Sequence, residues 1–240
     1  MMSDQTFWKA TRPDGTDFYS GTIDYAAALT SGRPVTVREV NDPLCCTGDV
    51  LHAATVPAET LIGGDWPCRL FEVTGVPVAE GEQHKRGFFS LTVLREVDAH
   101  LALGPQGEHV AAMIERARQL RRWEVGSLRT AWYADRIADR IAARDAAWIA
   151  AGDAARGAAG DAAWVAAART TARGVYLAVA WEAAKDTTRA LVVRDLIGQH
   201  GFTQEHYDTL TRPWRTVVGP LHPDDKDLKG QDDECGAGQL

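Results

Sequence analysis

Cysteine is scarce and badly placed for chemistry. Cys45, Cys46, Cys68 and Cys235 are the only four in 240 residues, and the first two are adjacent. Neither a disulfide framework nor paired zinc ligands fits that spacing, since structural zinc takes ligands about two to four residues apart. Reduced thiols are the expectation. Long apolar runs are also missing, with none approaching the ~18 residues of a membrane span. The opening residues lack a basic stretch followed by an apolar core, the pattern of a secretory signal. The chain is therefore expected to be cytoplasmic, with no membrane partner. A basic surplus is absent too. The formal charge is −7, and residues 222–240 hold Asp224, Asp225, Asp227, Asp232, Asp233 and Glu234 against Lys226 and Lys229. Neither half carries the charge footprint of a nucleic-acid binder, so nucleic acid is not an expected partner.

Established catalytic signatures are likewise missing. The chain has no phosphate loop, no G-x-G-x-x-G, no H-E-x-x-H and no G-x-S-x-G. What it does have is ordinary globular composition, with 45% hydrophobic and 25% charged residues. Enough apolar material is present to build a core.

The first hundred residues read as strands and turns. Residues 6–11 lead into Arg12-Pro13-Asp14-Gly15, where proline presets φ and Asp-Gly tolerates a tight bend, so a hairpin returning through 16–20 is predicted. Further runs occupy 34–40, 69–74 and 88–97, the last alternating Phe89, Leu91 and Val93 against Ser90, Thr92 and Leu94. Pro57 and Glu59 suit the first turn of a short helix that Gly63-Gly64 would stop. The predicted fold is α+β, a mostly antiparallel sheet with a short helix over residues 1–104, ending at Leu103-Gly104-Pro105.

Residues 105–219 read as an alanine-rich helical region and 220–240 as an acidic, disordered tail. Helices are predicted over 106–124 and 127–151, broken near Gly126-Ser127, with two more across 161–198. A last one starts near Thr203 and is interrupted before Pro213, because the residue ahead of a proline avoids the α region. Ala134, Ile137, Ala138, Ile141, Trp148 and Ile149 make the stripe expected to face the core. An eight-residue repeat runs Asp-Ala-Ala-Trp-Ile-Ala-Ala-Gly at 145–152, Asp-Ala-Ala-Arg-Gly-Ala-Ala-Gly at 153–160 and Asp-Ala-Ala-Trp-Val-Ala-Ala-Ala at 161–168. Eight residues overshoot two helical turns by roughly 80°. Trp148 and Trp164 would thus face opposite ways on one straight helix, and a fold-back near Gly157 to Gly160 is predicted.

Several constellations have the residue types of a site. Trp132, Arg136, Arg140, Arg144 and Trp148 follow one another at i+4, a spacing that suits either arginine–aromatic stacking or a phosphate track. Interspersed Asp135, Asp139 and Asp145 cancel much of that charge and favour the structural role. His52 lies near Cys45, Cys46 and Cys68 without metal spacing. His200, Glu205, His206 and Asp208 cluster around a helix start. Arg12, Tyr19, His52 and Glu96 resemble, in order, the dispersed site of small ADP-ribosyltransferase-like domains. There an early Arg or His holds NAD, and a late Glu stabilises developing oxocarbenium charge and orients the nucleophile. The Ser-Thr-Ser element of those domains is missing here.

Leu51-His52-Ala53-Ala54-Thr55-Val56-Pro57, Arg69-Leu70-Phe71-Glu72-Val73 and Leu94-Arg95-Glu96-Val97 resemble an uncharacterised domain of actinobacterial and phage proteins. Residues 191–196, Tyr207-Asp208-Thr209-Leu210 and Pro213-Trp214 are similar to its closing segment. That resemblance implies a bacterial or phage setting and supplies no activity. The expectation is a non-enzymatic accessory or protein-interaction protein without a cofactor, its partner a protein or another copy of the chain. The alternative is an ADP-ribosyltransferase-like enzyme with NAD, using a cleft in the first domain.

Overall fold

Phe7, Ala10 and Thr11 are buried in Thr6–Thr11, and this segment forms β1. The computed structural model describes residues 5–45, 47–61, 63–81, 85–155 and 178–226. The remaining strands are β2 (Val35–Thr36), β3 (Leu51–Ala54), β4 (Arg69–Thr74), β5 (Pro77–Glu80), β6 (Lys85–Phe88) and β7 (Ser90–Val97). They join in the order β2-β7-β4-β1-β3-β6-β5, every pairing antiparallel, which puts β1 at the centre. Phe7, Leu51, Ala53, Phe71, Val73, Phe88, Leu91 and Val93 pack with Tyr25 and Ala28 of a helix, α1 (Tyr25–Ser31), to make the core. Phe7 meets Phe88 edge to face, with ring centroids 4.8 Å apart.

The predicted hairpin does not form. The turn at 12–15 is there, but residues 16–20 leave the sheet after a single bridge between Thr16 and Asp24. Asp17 is the cause. Its carboxylate accepts from the Ser20 amide (2.6 Å), the Ser20 hydroxyl (2.7 Å), the Thr22 amide (3.2 Å) and the Ile23 amide (3.1 Å), and so closes a loop. Asp24 then caps α1 by accepting from the Ala27 amide at 2.8 Å. The run at 34–40 contributes only the two residues of β2. Pro57–Glu59 is a single 3₁₀ turn rather than a helix.

Among the described residues five helices follow: α2 (Gly107–Arg118), α3 (Arg122–Ala134), α4 (Ile137–Ala155), α5 (Ala178–Val192) and α6 (Gln204–Val217). The described residues fall into two compact units, a sheet unit reaching Gly107 that also takes residues 154–155, and a helical unit of 108–153 and 178–226. The helix breaks differ from those predicted. Gly126 stays inside α3, and the chain breaks instead ahead of Arg122 and at Asp135. Glu124 pairs with Arg116 and accepts from the Arg121 amide at 2.7 Å, fixing the first break. Asp135 has extended backbone, and its carboxylate is taken by Arg140 (2.7 Å) and Arg212 (2.6 Å). The predicted fold-back at Gly157 to Gly160, like Trp164, lies outside the described residues.

The apolar stripe predicted for α4 is on the wrong face. Ile137, Ile141, Trp148 and Ile149 are each more than half exposed. Arg140, Ala143, Ala147, Ala150 and Ala151 are buried instead, four of them against Ala190, Phe202, Tyr207 and Leu210. Small side chains win this face because they let neighbouring elements approach closely, whereas Ile and Trp would hold them apart. Fully buried Asp186 of α5 supplies the counter-charge, meeting Arg144 Nε at 2.6 Å, Arg140 Nη1 at 3.3 Å and Trp132 Nε1 at 3.3 Å. Arg140 and Arg144 lie 5.0 and 5.9 Å from the centroid of the Trp132 ring. That row is thus internal packing, while Arg136 and Trp148 point outward.

Helix α6 runs unbroken through Pro213, against expectation. Proline has no N–H for the Thr209 carbonyl four residues back. Arg140 Nη1 donates to that carbonyl at 3.5 Å. Beyond α6 the chain stays attached as far as Lys226. Tyr207 donates to Asp225 (3.1 Å), Arg194 pairs with Asp224 (3.3 Å), and Arg215 donates to the Lys226 carbonyl (2.9 Å). The first part of the tail read as disordered is therefore bound, and residues 227–240 lie outside the described residues.

Candidate functional site

Strand alternation puts Lys9 on the same face as Phe7 and Thr11, and its cross-strand partner is Phe71. A lysine thus occupies a core-facing position of the central strand. The side chain enters a cavity of about 630 Å³ in the sheet unit, within the ~300–1,000 Å³ usual for small-molecule sites. Its ammonium lies 5.4 Å from the centroid of the Tyr25 ring. Among the described residues Lys9 makes neither a salt bridge nor a hydrogen bond. Burial pulls its pKa from 10.5 down to about 8; the Asp17 charge opposes this and the Lys85 charge adds to it.

Tyr25 opens α1 and is fully buried, yet among the described residues its hydroxyl has no hydrogen-bond partner. Burial and then the negative Asp17 raise its pKa, so it is a neutral phenol with a donor to give. Burial alone would raise Asp17. Hydrogen bonds from Ser20 and Ile23, helped by Lys9, outweigh it and bring the carboxyl to about 2. Asp17 is therefore an anion, but its oxygens are spent on the loop. His52 on β3 lines the same space, lowered from 6.5 to about 4 by burial and then by the charges of Lys85 and Lys9. It is neutral at physiological pH. Trp8, Phe18 and Tyr19 give the cavity aromatic surface.

Of the four residues read from sequence as an ADP-ribosyltransferase-like set, the fold brings two together. Tyr19, 92% exposed, and His52 both line the cavity. Arg12 instead donates to the Phe18 carbonyl at 2.9 Å and packs on Gly21, where an added Cβ would lie 2.3 Å from its guanidinium. Glu96 is held by both arms of Arg69, at 2.8 and 2.6 Å. Neither lines the cavity. The other candidates have structural partners: His206 caps α6 with Thr203, and Asp208 pairs with Arg215 at 2.6 Å. Cys68 is buried, and burial pushes its thiol up to about 12. No group of three or more metal-ligating side chains occurs among the described residues.

Sequence reasoning passed over Lys9, Asp17 and Tyr25. A signal for Lys9 was available, because a lysine two residues from Phe7 on a strand shares its inward face. Tyr25 had no such signal, since nothing local marks α1 beyond its Asp24 cap.

No known protein family, curated protein or solved structure matches this chain. The site is read from its own geometry.

Proposed function

We propose that the sheet unit is a small-molecule-binding module. Its cavity takes an organic molecule that sets a carbonyl or carboxylate oxygen against Lys9 and Tyr25 and apolar surface against Trp8 and Phe18. The observation that carries this reading is the Tyr25 hydroxyl, fully buried and, among the described residues, unpartnered beside an amine that makes no salt bridge. An unmet buried polar group costs about 1–3 kcal/mol, and a ligand oxygen would recover it. The role fits an accessory protein of a bacterium or phage that responds to a metabolite rather than transforming one.

A panel of small carboxylates and carbonyl compounds, with NAD as a separate arm, tests it through thermal unfolding of the full chain. Ligand at ~100 times its Kd adds about 2.7 kcal/mol to the native state. At least one oxygen-bearing compound should raise the melting temperature, and the shift should shrink in Tyr25→Phe. No shift with any compound at millimolar concentration would contradict the proposal. A shift with NAD alone, lost in Tyr19→Ala and His52→Ala, would favour the ADP-ribosyltransferase-like reading, which draws on those two residues lining the cavity.

A second reading concerns the helical unit. Trp123, Tyr133, Ile137 and Ile141 are exposed there, which supports the expectation of a protein partner. Concentration-dependent sedimentation that Ile137→Glu abolishes would identify that partner as another copy of the chain.

A further inference from the structure

The chain has five lysines, Lys9, Lys85, Lys185, Lys226 and Lys229, among 26 basic residues. Arginine serves ion pairs of the helical unit at Arg140, Arg144 and Arg215. Guanidinium remains charged at every physiological pH, whereas an amine can lose its proton and become a nucleophile. A lysine stands where a basic side chain enters the cavity from the central strand, and among the described residues it makes no salt bridge there. β1 is bonded on both sides, to β3 and β4, so its Cα is fixed and the amine is delivered to one region. Asp17 is close enough to affect the amine electrostatically, but its carboxylate oxygens are bound to the loop. Beside the amine stands a neutral phenol whose hydroxyl has a proton to donate and no partner among the described residues.

From this geometry we infer that Lys9 is a nucleophile that captures an aldehyde or ketone ligand as a reversible imine, with Tyr25 hydrogen-bonding the carbonyl oxygen. The inference rests on the cavity being a ligand site and narrows the ligand class to carbonyl compounds. Nζ of the neutral amine attacks the carbonyl carbon, the C–N bond forms and the C=O π bond opens. The carbon–oxygen bond then breaks, and the oxygen leaves as water with the two amine hydrogens. Nothing is oxidised or reduced, and water reverses the step. Nucleophilic lysines of this kind are made by desolvation and a neighbouring cation, and both act on Lys9 here. The titratable groups lining the cavity with it are Asp17 and Tyr19 in the loop, Tyr25 on α1, His52 on β3, Glu59 in the 3₁₀ turn and Lys85 on β6.

Reductive trapping tests this on the full-length protein. Glyoxylate, benzaldehyde and 4-formylbenzoate are each incubated with sodium cyanoborohydride, and adducts are located by peptide mass mapping. At about pH 7.5, with at least one of the aldehydes, Lys9 should label roughly 10–100-fold faster than Lys185, the margin its larger neutral fraction allows. Labelling at Lys9 should reach half its plateau near the pKa of about 8. Tyr25→Phe should slow capture at Lys9 and leave Lys185 unchanged, a split that a merely structural tyrosine would not produce. Adducts spread evenly over the lysines, or concentrated on Lys85, with all three aldehydes would overturn the inference. Benzoate cannot form an imine, so its effect on thermal unfolding reports on the cavity alone. Benzoate stabilisation without Lys9 labelling would sink the imine and spare the binding site.

Discussion

Lys9 and Tyr25 each sit where a hydrophobic side chain would make the sheet unit more stable, and their effects on folding can be measured apart. Replacing Tyr25 with Phe removes a hydroxyl that gains nothing in the free protein, so urea unfolding should show Tyr25→Phe neutral or more stable by about 1 kcal/mol while ligand binding weakens. A loss above about 1 kcal/mol would mean the hydroxyl has a partner. Lys9 and His52 give a pH signature. The folded pKa of Lys9, about 8, lies below its ordinary 10.5, so across that window the unfolded chain holds more protons and stability rises with pH. His52 behaves in the same sense between its folded value of about 4 and 6.5, so native stability falls as pH drops through that range. Unfolding measured across pH should lose the upper slope in Lys9→Met and the lower slope in His52→Gln. Slopes that persist in both variants would assign them to other groups.

Among the elements, α4 separates what sequence pattern reveals from what it hides. Its helical period is plain, but its buried face is not. Large apolar residues marked Ile137, Ile141 and Trp148 as core, whereas the packed face is the alanines with Arg140. Arg140 and Arg144 are neutralised by Asp186, more than forty positions away, and no local window contains that pair. The same limit hid how Pro213 is accommodated, since the donor to its orphaned carbonyl is again Arg140. By contrast the α+β class, the antiparallel sheet and β4 with its limits were legible, because alternation and turn chemistry are local. The hairpin failed for a local reason, the Asp17 carboxylate gathering four donors. Two substitutions express this contrast. Asp186→Ala should cost about 3–5 kcal/mol by stranding buried arginine charge, whereas Trp148→Ala should cost less than about 1 kcal/mol. Denaturant unfolding reads both, and the reverse order would show that the apolar stripe is the packed face.

At the scale of the whole chain, the two units divide the work: the sheet unit holds the cavity and the helical unit is secured by ion pairs and by its own closing segment. Because Asp224, Asp225 and Lys226 meet Arg194, Tyr207 and Arg215, truncation after Gly219 should destabilise the helical unit by about 1–3 kcal/mol in urea unfolding. Truncation after Lys226 keeps those contacts and should leave that transition in place. An equal loss from both cuts would contradict this account of the segment. The cavity is tested most directly by NMR of the full chain carrying ¹⁵N-lysine, where five lysines give a readable spectrum. Lys9 Nζ should titrate near 8 and shift when benzoate or 4-formylbenzoate is added. A Lys9 that titrates near its ordinary 10.5 and ignores every carboxylate and carbonyl compound offered would contradict the account.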